Sequence, residues 1–323
     1  EVAQETCRYR PMGERKYKQI SKLLRESGIL LRNFFELERE DGHLEISLTM
    51  KMISEKYTKL GEQVCIDDVA DFISVALNTR LRAAKNMPQY LTPEWNTYYF
   101  AEEANYHLLT GVAKAVKETE HISGDNYSFY EAENGRMVAV LSDGMGSGEK
   151  ACDDSERIIE KMERLLEAGF RKETAVQMIN GALVAAGQEE HMSTLDLCDI
   201  NMYTGACEFV KAGAACSYIK RGRLVDRLSA LNFPLGVFGQ IEPERMQRVL
   251  QSGDYVIMLS DGILDALSQG LGEEMLPEII GRIEYTNPNE IANQILAYCL
   301  KQSNGQVRDD MTVLVIGIWG RDE

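Results

Sequence analysis

The sequence predicts an α+β protein in two parts. A small α+β module covers residues 1–104, and packed antiparallel sheets flanked by helices cover residues 105–323. Three observations predict this. Strand-like stretches come in runs and helical ones in pairs, whereas a parallel sheet would need them to alternate. Asp41-Gly42 and Asn134-Gly135 stand between strand-like runs, and such dipeptides favour hairpin turns. The pattern changes at about Asn105, after a loop with two prolines, Pro88–Trp95.

Residues 1–13 read as a loose lead-in. Glu14–Glu26 places Tyr17, Ile20, Leu23 and Leu24 at helical spacing, and Ser27-Gly28 stops it. Strand-like Ile29–Glu38 and His43–Ile53 follow. Ile66–Leu77 reads as a helix with Ile66, Val69, Ala70, Ile73 and Leu77 on one side. Shorter strands are expected around Arg80–Lys85 and Tyr98–Glu102. The module gathers no chemically useful side chains and reads as regulatory or as an assembly element.

In the second part, strands are expected at Tyr106–Ala115, Tyr127–Ala132 and Arg136–Leu141. Helices follow at Glu149–Glu167, with Ile158, Ile159, Met162, Leu165 and Leu166 on one face, and at Glu173–Ala186. Thr194–Leu228 reads as one meander with turns at Thr204-Gly205 and Arg221-Gly222. A buried-type strand, Tyr255–Ser260, ends in Asp261-Gly262. Helices near Gly272–Ile283 and Pro288–Gln302 precede a last strand, Met311–Trp319.

Composition narrows the function. The chain has 323 residues, 44% hydrophobic and 27% charged, which is ordinary for a folded globular protein. The longest apolar runs, such as Tyr255–Leu259 and Val313–Ile316, fall far short of the roughly 20 residues of a membrane helix. No basic-then-apolar leader follows Glu1. The cysteine usage fits a reducing compartment, so a cytoplasmic location is expected, for the chain or as the cytoplasmic part of a longer membrane protein. The net charge is −16, a poor match for nucleic acid. Residues 1–110 hold 15 basic and 17 acidic side chains, and residues 111–323 hold 20 and 34. An acidic catalytic half that handles an anion needs local positive charge, and a metal ion is one source. Seven cysteines without a C-x-x-C pair argue against a disulfide framework, and four scattered histidines argue against zinc.

One arrangement recurs. Val138–Leu141 runs into Ser142-Asp143-Gly144, and Val256–Leu259 runs into Ser260-Asp261-Gly262. Asp309-Asp310 stands just before an apolar strand, and Asp125 before another. Converging strand ends would bring these carboxylates together. Like charges repel, so a hard divalent cation with oxygen ligands would be needed to neutralise them. Glycine after Asp lets the backbone turn so that its carbonyl faces the same ion. The plainer reading is that Asp-Gly and Asp-Asp only make turns. Two Ser-Asp-Gly strand ends together with an Asp pair favour the metal. The glycine-rich Asp143–Lys150 matches neither the P-loop nor the dinucleotide pattern. An Asp-nucleophile phosphohydrolase would place D-x-D-x-[TV] at a strand end, and none lies there.

The ordered set Ser123-Gly-Asp125-Asn-Tyr127, Ser142-Asp-Gly-Met-Gly-Ser-Gly-Glu-Lys-Ala151, Ser260-Asp-Gly-Ile263 and Arg308-Asp-Asp-Met-Thr312 resembles the PPM-type metal-dependent Ser/Thr protein phosphatases. It is most similar to their bacterial branch typified by stage II sporulation protein E, and His107–Lys117 shares that likeness. The resemblance covers Asn105–Trp319.

It implies a PPM phosphatase β-sandwich flanked by helices and two ions, Mn²⁺ or Mg²⁺. Asp143 would bridge both ions and the Gly144 carbonyl would complete one. Asp261 and Asp309 would hold the other, with Asp310 left as an alternative. Asp143 and Asp261 would act catalytically through metal-held water, and Asp125 would accept from that water. Two metals make hydroxide available near neutral pH, so no protein nucleophile is needed. Two departures stand out. Lys211–Cys216 has no carboxylate where many members help to hold a third metal, and the phosphate-gripping Arg of eukaryotic members is missing. Lys150 is a candidate for that role, beside its reading as a solvated helix residue.

The resemblance also implies that the two helices after the glycine-rich loop move under an upstream module. The implied activity is removal of phosphate from phosphoserine or phosphothreonine on an anti-sigma-factor antagonist, controlling sigma-factor activation in sporulation. Self-association through the N-terminal module is a further expectation. The alternative is a non-catalytic phosphatase-like binding or regulatory protein.

Overall fold

The computed structural model of the chain describes residues 8–38, 43–53, 64–84, 86–132, 135–146, 148–186, 192–268 and 273–321. It divides into two units, Gln4–Ala104 and Asn105–Glu323. The first unit contains β1 (Arg8–Pro11), α1 (Glu14–Glu26), β2 (Ile29–Glu38), β3 (Leu44–Met52), α2 (Ile66–Leu77), β4 (Leu81–Ala83) and β5 (Asn96–Glu102). Its antiparallel sheet runs β1-β2-β3-β5-β4. Ile20 and Leu24 of α1 and Ile66, Val69, Ala70 and Ile73 of α2 are buried, and they share a core with Ile46, Leu48, Met50, Tyr98 and Phe100. Gly28, at φ +81°, ends α1 as the Ser27-Gly28 signal predicts. The Asp41-Gly42 turn lies outside the described residues, but Glu38 pairs with Leu44 as a hairpin requires.

One expectation fails in this unit. Arg8–Pro11, read as loose lead-in, is an edge strand paired with Phe35–Glu38. Four residues at an edge carry no alternation that a sequence pattern can register.

The second unit contains β6 (Tyr106–Ala115), β7 (Asp125–Ala132), β8 (Arg136–Asp143), α3 (Gly148–Glu167), α4 (Lys172–Ala185), β9 (Leu195–Asn201), β10 (Ala206–Ala212), β11 (Ser217–Arg221), β12 (Leu224–Leu228), β13 (Glu244–Val249), β14 (Asp254–Leu259), α5 (Asp261–Ser268), α6 (Leu276–Arg282), α7 (Pro288–Gln302) and β15 (Met311–Gly320). They build two antiparallel sheets, β13-β10-β9-β8-β7 and β12-β11-β14-β15-β6.

Alternation along the strands assigns the faces. Met137, Ala139 and Leu141 of β8 meet Val256 and Met258 of β14 and Leu314, Ile316 and Ile318 of β15 between the sheets. Val138 and Val140 point outward onto Ile158, Ile159 and Met162 of α3 and Val176 and Ile179 of α4. Ile257, Val313 and Val315 point outward onto Ile291, Ile295 and Cys299 of α7. Strands buried on both faces explain the unbroken apolar runs in the sequence. The result is a sandwich with helices on both outer faces.

Thr194–Leu228 is not one meander. Β-strands β9 and β10 belong to one sheet and β11 and β12 to the other, with the chain crossing between them after β10. The turn glycines Gly205 and Gly222 have φ +72° and +57°, so the turns were legible, but alternation does not say which sheet a strand joins. Two elements had no sequence signal. Strand β13 is a mostly exposed edge, and α5 has eight residues and starts at Asp261 itself.

Candidate metal centre

The period-2 pattern that buries Leu141 between the sheets also turns Asp143, two residues on, toward the same inner side. Asp125, the first residue of β7, is its direct cross-strand partner. In the facing sheet, Leu259 pairs with Val313, so the end of β14 and the start of β15 share one edge of the sandwich. Asp261 follows the first and Asp309-Asp310 precede the second. All five predicted aspartates therefore stand at one mouth of the sandwich.

The serines before Asp143 and Asp261 fasten each strand end to its neighbour. Ser142 Oγ lies 2.9 Å from Ser193 Oγ and donates to the Thr194 carbonyl at 2.7 Å. The Asp143 amide donates to Thr194 Oγ1 at 3.0 Å, and Ser193 Oγ donates to the Asp143 carbonyl at 2.5 Å. In the other sheet, Ser260 Oγ accepts from the Thr312 amide at 2.8 Å, and Thr312 Oγ1 donates to Asp125 Oδ2 at 2.6 Å. That last bond crosses between the sheets. The recurrence of Ser before Asp was visible in the sequence, but its role depends on Ser193, Thr194 and Thr312, which only pairing identifies.

The glycines after these aspartates work differently from the sequence expectation. Neither Gly144 nor Gly262 has a positive φ. A Cβ on Gly144 would lie 2.1 Å from the Ala151 carbonyl oxygen, and one on Gly262 would lie 2.2 Å from the Asp310 carbonyl oxygen. Close backbone approach, and not a left-handed turn, requires glycine here.

Electrostatics tie the carboxylates together. Burial, then the charges of Asp125 and Asp261, a hydrogen bond to Asp261 and the charge of Asp309 push Asp143 up to about 9. Burial raises Asp125 to about 7, against the bonds from Thr312 and Ser260 and the charge of Lys114. Asp261 is also raised, first by enclosure of its carboxyl and then by Asp309 and Asp265, while its bond with Asp143 pulls the other way. Crowded carboxylates of this kind repel one another, and a cation or a bound proton relieves the repulsion. Lys114 Nζ also donates to the Asp125 carbonyl, which ties β6 to β7. Lys114 and Asp265 were not anticipated from the sequence.

Asp309 and Asp310 divide their work. Asp310 is buried and accepts the Lys117 amide at 2.9 Å and the Gly124 amide at 2.6 Å, one on each carboxyl oxygen. Asp309 is half-buried and adds its charge to Asp143 and Asp261. Lys150 lies on exposed surface in the first turn of α3.

Among the described residues, no three acidic, histidine or cysteine side chains are placed to clasp a single ion by themselves. The donor set nonetheless fits a hard divalent cation. It is all oxygen, it is crowded with like charge, and Asp125 Oδ1 is buried with no hydrogen-bond partner. Magnesium-type ions keep several waters, so few protein ligands per ion suffice.

The family model described as stage II sporulation protein E (SpoIIE) matches residues 133–319. The chain belongs to the stage II sporulation protein E family. Stage II sporulation protein E of Bacillus subtilis (strain 168) is 30% identical over 301 residues, 93% of this chain and 36% of that protein. Phosphoserine phosphatase RsbU of the same organism is 22% identical over 201 residues, 61% of this chain and 60% of that protein. The chain thus spans about a third of the SpoIIE relative's length. A solved structure of the PP2C phosphatase domain and a regulatory-domain fragment of SpoIIE from Bacillus subtilis is similar over 94% of this chain and 87% of its own, at a TM-score of 0.69 and 28% identity. The chain carries a PP2C-type phosphatase domain, and the resemblance carried by the four motifs holds. A solved structure of RsbX in complex with magnesium shares the fold over 67% of this chain, at a TM-score of 0.51 and 19% identity. No helix among the described residues is long and apolar enough to cross a membrane.

Proposed function

We propose that this SpoIIE-family chain is a Mn²⁺- or Mg²⁺-dependent protein serine/threonine phosphatase acting on the phosphorylated antagonist of an anti-sigma factor, in the sigma-factor control of sporulation. The observation that supports it most is the convergence of Asp143, Asp125, Asp261 and Asp309 at one sandwich mouth. In this reading Asp143 and the Gly144 carbonyl, with Asp261 and Asp309, hold two ions. Such ions activate water and neutralise phosphoryl oxygens during in-line attack.

The chain's own residues supply orientation. Asp125 Oδ1 is the free acceptor for a water hydrogen at the centre, and Thr312 and Ser260 hold that carboxyl in place. The bonds of Ser142, Ser193 and Thr194 keep Asp143 at the strand end. Asp310 takes a structural part, pinning the β6–β7 connection through Lys117 and Gly124. Lys150, exposed in the first turn of α3, is the side chain this reading assigns to an approaching phosphate. Residues 1–104 serve as the regulatory and self-association part, and the site works in the cytoplasm.

The test is phosphate release, with Mn²⁺ present, from a phosphoserine-bearing anti-sigma-factor antagonist and from a phosphotyrosine protein. The reading expects release from the first alone, abolished by EDTA and by Asp261→Asn. Equal release from both substrates, or release that survives EDTA, contradicts it.

A further inference from the structure

The two sheets of the sandwich meet through apolar side chains. Apolar attraction is non-directional, so it does not fix how one sheet sits along the other. Directional bonds between the sheets do. One buried group of them involves a lysine that the candidate metal centre does not use.

Lys211 on β10 is 0% exposed. Its Nζ donates to Asp196 Oδ2 at 2.5 Å, to Ser217 Oγ at 2.8 Å and to the Ala215 carbonyl at 2.8 Å, which uses all its N–H groups. Ser217 Oγ donates to the same Asp196 oxygen at 2.5 Å. Asp196 and Lys211 are cross-strand partners on β9 and β10, whereas Ser217 opens β11 in the other sheet. Alternation with Cys198, Phe209 and Ile219 points all three into the sandwich.

This cluster connects the two halves of the candidate centre. Asp196 lies opposite Leu141, two residues before Asp143. Thr194, two residues before Asp196, accepts from the Asp143 amide. Strand β11 pairs with β14, and Asp261 follows β14. A buried ion pair is a weak source of stability, because apolar replacements are often neutral or stabilising. Here Asp196 Oδ1 is also buried without a partner. Stability alone therefore does not account for the cluster.

We propose that Lys211, Asp196 and Ser217 form a strut that positions the metal centre: it fixes the register of the two sheets so that Asp143 from one and Asp261 and Asp309 from the other face common cations. The proposal rests on the metal-centre reading above. Lys211→Met alone would strand the Asp196 charge, so the variants to make are Lys211→Met/Asp196→Leu and the milder Ser217→Ala. Ile295→Ala, which opens a cavity under α7 on an outer face, controls for lost stability.

The measurement is calorimetric Mn²⁺ binding to each metal-free folded protein. The strut predicts that Ile295→Ala binds like wild type and that the double variant binds about ten- to a hundred-fold more weakly. Ser217→Ala should fall between them, and it decides alone if the double variant does not fold. Wild-type affinity in the double variant, or in Ser217→Ala when that variant decides alone, overturns the strut. Equal weakening in Ile295→Ala and the double variant does so too, since affinity would then follow stability. No Mn²⁺ binding by wild type overturns the metal-centre reading beneath it.

Discussion

Asp125 and Asp143 stand directly opposite each other, the first residue of β7 against the last of β8, on the inner side of one sheet. Antiparallel pairing sets such side chains about 5 Å apart, and like charges so placed are destabilising. Around them Asp261 and Asp309 arrive from the facing sheet, and the hydrogen-bonded serines and threonines leave the strand ends little freedom to move apart. The centre is therefore a place where folding energy holds carboxylates together.

The pH dependence of the metal-free protein follows. Asp143 rises from 3.8 to about 9 and Asp125 from 3.8 to about 7. Groups raised on folding contribute stability that is complete below the unfolded value and lost as pH rises through the folded one. With EDTA present, the melting temperature should fall as pH rises from the unfolded value of 3.8 toward those folded values. Mn²⁺ should reverse the fall, and Asp143→Asn should flatten it. Thermal unfolding across pH, with EDTA or with Mn²⁺, checks this.

Asp309 and Asp310 should separate cleanly. Asp310→Ala leaves the buried Gly124 amide and the part-buried Lys117 amide without their acceptor, and should cost about 2–3 kcal/mol in chemical denaturation. Asp309→Ala removes the acceptor of the Asp310 amide but relieves the crowding of charge, so it should cost the metal-free protein less than Asp310→Ala does, and it should weaken Mn²⁺ binding.

The glycines should tolerate nothing larger. Gly262→Ala would drive a Cβ to 2.2 Å from the Asp310 carbonyl oxygen, which is backbone and cannot swing aside. Overpacking of this kind should cost about 3 kcal/mol and displace the start of β15 from Asp261. Urea unfolding gives the first quantity and Mn²⁺ affinity reports the second.

Ser142→Ala and Ser260→Ala should each lose about 1–2 kcal/mol, because each removes a hydrogen bond to the backbone, at the part-buried Thr194 carbonyl or the buried Thr312 amide. Both losses should appear in denaturation of the metal-free protein, where no cation masks them.

Much of this was legible in the residues. Helix α1, with Ile20 and Leu24, and helix α2, with Val69 and Ile73, repeat at helical spacing and form as expected. The five aspartates could be picked out because each adjoins an apolar strand. What stayed hidden depends on long-range pairing. Nothing local says that β11 leaves the sheet of β10, that Ser217 meets Lys211 from the other side, or that Asp310 is occupied by amides 193 and 186 residues away in sequence. Edge strand β1 and the short helix α5 lack the length for a period to show.

The central claim is that these carboxylates form a metal-dependent catalytic centre. The most direct test titrates Mn²⁺ into hydrolysis of p-nitrophenyl phosphate by wild type and by Asp143→Asn. The account predicts saturable Mn²⁺-dependent turnover by wild type, reduced roughly 10²–10³-fold or more in the variant. Turnover in Asp143→Asn equal to wild type, or no turnover by folded wild type at any Mn²⁺ concentration, would contradict it.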